Sequence, residues 1–70
     1  MKYLIVIEQT NTGYSAYAPD LPGCIATGES PEKAEENMRE AIQFHIDGLK
    51  LEGMEIPAPA YRYTYVEVAA

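Results

Sequence analysis

Tryptophan is absent from these 70 residues, cysteine and histidine occur once each, and five lysines and arginines stand against eleven acids. Each scarcity excludes something. A single cysteine has no partner within the chain, so no intrachain disulfide can hold the fold, and a lone thiol suits a reducing cytoplasm better than a secreted scaffold. The formal net charge of −6 repels a phosphate backbone, which argues against direct nucleic-acid binding. No apolar run approaches the roughly 20 residues that span a bilayer, and the run Tyr3–Ile7 is too short for the apolar centre of a signal peptide. No membrane role is expected. The glycines form neither Gly-x-Gly-x-x-Gly nor Gly-Lys-Ser/Thr, so no loop is built to cradle a phosphate.

What is present is one small acidic domain, spanning residues 1–70. A chain of this size buries only about 60% of its unfolded surface and is marginal alone. With disulfides excluded, association is the common remaining route to stability. The acidic balance suits a basic protein as partner.

The segment Lys2–Glu8 is rich in β-branched and aromatic residues and is apolar at nearly every position, the pattern of a strand covered on both faces. Asn11-Thr12-Gly13 is turn chemistry, Tyr14–Tyr17 reads as a second strand, and Cys24–Thr27 as a short third. Ser30-Pro31-Glu32 then starts a helix, with serine as N-cap, proline where its missing N–H costs nothing, and an acid at the positive end of the dipole. Gly53 stops that helix and Pro57 and Pro59 forbid its resumption. At 100° per residue, Ala34, Met38, Ala41, Ile42, His45 and Leu49 share one face, and Glu36, Arg39, Glu40, Gln43, Asp47 and Lys50 the opposite one. Phe44 and Leu51 fall outside the apolar stripe and suggest a second, smaller contact. Tyr61–Val68 alternates most regularly, with Tyr61, Tyr63 and Tyr65 on one face and Thr64, Val66 and Val68 on the other.

The expected fold is therefore α+β: a two-layer β-β-β-α-β chain with one amphipathic helix on a mainly antiparallel four-stranded sheet. The last strand is expected to lie parallel to the first through a right-handed crossover. One helix covers one face, yet the first strand is apolar on both, so the second face calls for a homo-oligomer or another protein.

Catalytic readings are weak by comparison. Cys24 and His45 could in principle form a nucleophilic pair, but His45 sits in the apolar stripe and Cys24 opens a short strand, so packing explains both more simply. Zinc would need three or four ligands at recognisable spacing, which are missing. Glu8, Asp20 and Glu29 lie near strand ends, where a nuclease gathers carboxylates around magnesium, and the element order invites comparison with the front of a ribonuclease H-like sheet. Nothing in the sequence brings the three together, and Asp20 between Pro19 and Leu21 is a natural turn residue. No catalytic residue, metal or cofactor is expected. The tyrosines carry more weight: Tyr61, Tyr63 and Tyr65 are candidate interface residues, since tyrosine brings large area with few rotors and a hydrogen-bonding tip.

The strand "YLIVIE", the run "GYSAYAPDLPGCIATGES", the helix "PEKAEENMREAI" and the "IPAP" that precedes the last strand resemble the HicB-like antitoxin family over nearly the whole chain. That resemblance implies a partial ribonuclease H-like fold without catalytic residues, whose task is to bind and neutralise a small basic HicA-type toxin that cleaves messenger RNA. It implies an architectural role for Pro19, Asp20, Leu21, Pro22, Gly23 and Cys24: the prolines fix the backbone, Gly23 permits the turn and Leu21 anchors the loop. The C-terminal helix-turn-helix or ribbon-helix-helix segment that many such antitoxins carry has no counterpart in these residues, so DNA binding is not carried over. The expected function is a non-catalytic binding module, a homodimer or larger, partnered by a HicA-like toxin. The alternative is a solitary homo-oligomer that binds a small molecule or another partner, and a metal-dependent nuclease ranks third.

Overall fold

The computed structural model describes all 70 residues. Three strands, β1 (Val6–Gln9), β2 (Tyr14–Tyr17) and β3 (Ile25–Gly28), precede one helix, α1 (Pro31–Leu51). The sheet runs β1-β2-β3, antiparallel throughout, with rows Val6–Tyr17–Ile25 and Ile7–Ala16–Ala26 crossing it side by side.

Helix boundaries follow the local chemistry. Ser30 takes an extended backbone, and its hydroxyl accepts a hydrogen bond from the Lys33 N–H at 3.1 Å, satisfying one of the donors a helix start leaves open. At the other end Gly53 adopts φ +68°, and the Gly53 and Met54 N–H groups turn back to the Lys50 and Leu49 carbonyls. This is the Schellman closure, which only a residue tolerant of positive φ completes without strain.

The core consists of Ala16, Ala18, Leu21, Cys24, Ala34 and Met38, with Tyr3, Ile5, Ile7, Tyr14, Ala26, Ala41 and Ile42 packed around it. Three of its six members are alanine, so helix and sheet approach closely. The closest point is Gly28, where an added Cβ would stand 2.8 Å from the Ala34 Cα. The helix lies chiefly over β3 and β2 and barely reaches β1.

Two expectations need correction. The first strand is shorter than Lys2–Glu8, because β2 turns away at Pro19 and leaves residues 2–5 beyond the ladder. More consequentially, Tyr61–Val68 forms no fourth strand: the sheet has three, and no parallel crossover forms. A strand exists only by pairing, and residues 61–68 lie wholly exposed beside nothing. Their approach explains why. The Tyr3 hydroxyl donates to the Pro57 carbonyl at 2.5 Å and the Ala60 N–H donates to the Asp20 carboxylate at 3.1 Å. The chain thus passes from beside β1 to the β2–β3 connection, and from Ala60 onward it contains no glycine, proline, asparagine or aspartate with which to turn back. The result is a projecting arm: the radius of gyration is 13.8 Å and the long axis 49 Å, against about 11 Å for a compact chain of this length.

Candidate interaction surface

The stretch Pro19–Cys24 is a pair of consecutive tight turns. The Leu21 N–H returns to the Ala18 carbonyl at 3.0 Å and the Cys24 N–H to the Leu21 carbonyl at 3.1 Å, while the Leu21 side chain is fully buried. Pro22 and Gly23 stay on the surface. Asp20 does more than occupy a turn, since one carboxylate oxygen receives the Ala60 N–H and so holds the base of the arm; the other is buried without a partner. Nothing in the sequence links residues 20 and 60, or 3 and 57. Both contacts arise only once the helix has returned the chain.

Cys24 and His45 line the same open groove on the β3 side of α1, together with Ile25, Phe44 and Leu49. No hydrogen bond joins the two side chains, and burial pushes the Cys24 thiol above its ordinary range. A nucleophilic cysteine needs the opposite shift. Glu8 and Glu29 stand at one end of the sheet, where β1 ends and β3 finishes, whereas Asp20 lies beyond the other end. No group of three or more His, Cys, Asp or Glu side chains comes together to hold a metal ion.

The helix presents its expected faces: Ala34 and Met38 are buried, Ala41 and Ile42 pack around them, and Glu36, Arg39, Glu40, Gln43, Asp47 and Lys50 are exposed. Two exposed ion pairs, Lys33–Glu36 at 3.7 Å and Arg39–Glu35 at 3.8 Å, partly neutralise this face. Phe44 and Leu51 make no second contact within the chain; they are 82% and 89% exposed.

The face opposite the helix is apolar at one end and polar at the other. Strand alternation places Leu4, Val6, Tyr17 and Ile25 there, followed by the row Glu8–Ser15–Thr27; Leu4 and Val6 are half-buried, whereas Tyr17 and Ile25 are exposed, Ile25 to 67%. A second surface is the groove between residues 1–5 and α1, lined by Tyr3, Ile5, Ile42, Ile46 and Ile56 together with Lys2, Glu35, Arg39, Gln43 and Lys50. The third is the arm, where Tyr61, Tyr63 and Tyr65 are all exposed and only Tyr63 and Tyr65 meet, edge to face with ring centres 6.0 Å apart. No helix is long and apolar enough to cross a membrane. These surfaces offer exposed apolar area and tyrosines for contact.

Comparison with known proteins agrees with that character. A 14.9 kDa protein from the rep-hol intergenic region of Haemophilus phage HP1 is 44% identical over 57 residues, covering 81% of this chain and 43% of the phage protein, so the chain spans less than half the length of that relative. A UPF0150 protein of Thermoplasma acidophilum is 38% identical over 58 residues, 81% of this chain and 84% of the relative. Among solved structures, a chain of a HicA3 and HicB3 toxin-antitoxin complex is similar at 35% identity and a TM-score of 0.74, covering 86% of this chain and 70% of its own. Residues 3–67 match the family described as the HicB-like antitoxin of bacterial toxin-antitoxin systems. A three-stranded antiparallel sheet with one helix and a match over almost every residue lead to one conclusion: this chain belongs to the HicB-like antitoxin family.

Proposed function

We propose that residues 1–70 act as one antitoxin module that binds and neutralises a small basic HicA-type toxin, without catalysis of its own. The observation that carries this reading is the likeness, at 35% identity, to a chain of a HicA3 and HicB3 toxin-antitoxin complex. Two features support it independently. The net charge of −6 steers a basic partner toward the surface, and the exposed Tyr17 and Ile25 on the face opposite the helix offer apolar area for burial. The fold is read as the front of a ribonuclease H-like sheet emptied of its carboxylate cluster. The module works as a homodimer in the cytoplasm, with Tyr61, Tyr63 and Tyr65 at an interface and Pro19–Cys24 as its structural signature. Replacing Tyr63 and Tyr65 together by alanine then weakens assembly or toxin binding, measured by sedimentation and by titration calorimetry.

The test is co-expression with a HicA-family toxin from the same genome. The toxin should co-purify with this chain, and messenger RNA cleavage and growth arrest should cease. A toxin that stays free and fully active in its presence ends the antitoxin reading. The uncovered apolar surfaces also favour a second reading, a homo-oligomer that meets no toxin, for which assembly persists while no HicA-family protein binds.

A further inference from the structure

We propose that the arm Tyr61–Val68 is the missing fourth strand of a second copy: it pairs along the free edge of β1 there, while the second copy's arm does the same in return. This deepens the homodimer part of the proposed function by naming the segment exchanged.

The chain carries both halves of a strand addition and joins neither. Residues 61–68 alternate like a strand, yet Tyr63, Tyr65, Val66 and Val68 are 73%, 91%, 77% and 75% exposed. β1 has a neighbour only on its β2 side, and an open edge of this kind is a template for another strand. The other sheet edge is less available: the Asn37 amide already donates to the Thr27 carbonyl of β3 at 2.7 Å, and α1 lies over that side.

The β1 edge also has a place for the arm's side chains. Beside the segment that leads into β1, Ile5, Ile42, Ile46 and Ile56 line a groove that they share with five polar or charged side chains, among them Lys2, Arg39 and Lys50. A strand added there alternates in and out. Thr64, Val66 and Val68 fit the groove, and Tyr61, Tyr63 and Tyr65 extend the apolar end of the opposite face beside Leu4 and Val6. Arg62 and Glu67 give the arm no net charge, so it approaches an acidic copy without the repulsion the whole chain would meet.

Pairing with its own β1 is blocked by how the arm leaves. Hydrogen bonds at Tyr3–Pro57 and Asp20–Ala60 carry the backbone across the end of the sheet to the β2–β3 connection, and no turn-forming residue comes after Ala60 to reverse it. Seven or eight extended residues reach about 25 Å, which is ample for a neighbour. Reciprocal exchange about a two-fold axis fills both edges and closes the assembly.

Sedimentation equilibrium of the full chain and of Val66→Pro tests the idea. Proline deletes a ladder N–H, and since Val66 is 77% exposed and lies outside the core, the helical circular dichroism stays unchanged. The full chain should run at twice the 7.8 kDa protomer mass and Val66→Pro at the protomer mass, with the conservative Val66→Thr remaining dimeric. A full chain that is monomeric overturns the proposal together with the homodimer. A dimer that Val66→Pro leaves intact overturns arm exchange alone and keeps the homodimer, and toxin binding, read separately, bears on neither result.

Discussion

Two residues set hard limits on what the molecule tolerates. At Gly28 the sheet and the first turn of α1 meet so closely that a methyl group has no room beside Ala34. Gly28→Ala should therefore destabilise the fold by about 1–3 kcal/mol, the usual cost of overpacking, seen as a lower urea midpoint at unchanged slope. Cys24 behaves differently. Burial raises its thiol above the ordinary value of 9.0, so as pH rises the unfolded chain gives up this proton before the folded one does. The unfolded state then binds fewer protons, and stability falls with pH above about 9 by at most ~1.4 kcal/mol per unit from this group. Below that window the contribution is complete. Comparing Cys24→Ala with the parent chain isolates it: the parent should lose more stability than the variant between pH 9 and pH 10.5, and parallel curves would refute the burial argument.

Elements were legible from sequence to the extent that their signals are local. The start of α1 at Ser30-Pro31, its stop at Gly53 and its buried positions at Ala34 and Met38 derive from capping chemistry and a 3.6-residue period, both contained in the helix itself. Removing the cap, Ser30→Ala, should cost about 1 kcal/mol, measured as a fall in thermal midpoint with the helical spectrum retained. The hairpin β1–β2 was readable for the same reason, since Gly13 and the alternation around it sit within a dozen residues. The last strand was not, because alternation reports only that a segment could pair and says nothing of which edge it reaches. Tyr3–Pro57 and Asp20–Ala60 decide that question across separations of 54 and 40 residues. Cys24 and His45 show the converse: a groove brings them onto one surface, yet no hydrogen bond joins them and burial raises the thiol.

At the scale of the molecule, the deficit inferred from composition is visible as geometry. Six residues are buried, three of them alanines, so little apolar area is removed from water for a 70-residue chain, and the proposed association would contribute what the protomer lacks. The same surface carries eleven acids against five bases, with Arg39 and Lys33 already paired. Association with a basic toxin should consequently be salt-sensitive: raising NaCl from 0.05 to 0.5 M lowers the association rate at least about tenfold, measured by stopped-flow or surface plasmon resonance, while the dissociation rate changes little. Equal on-rates at both salt concentrations would rule out electrostatic steering.

The order β1-β2-β3-α1 gives each strand its chain neighbour as sheet neighbour, and the helix packs mainly on the strand just before it. Such a unit has low contact order, and it forms without contacts from residues 61–70. The sheet and helix are therefore complete before the arm meets any edge. The proposed exchange is then a meeting of two finished bodies, so its extent rises with the concentration of the chain.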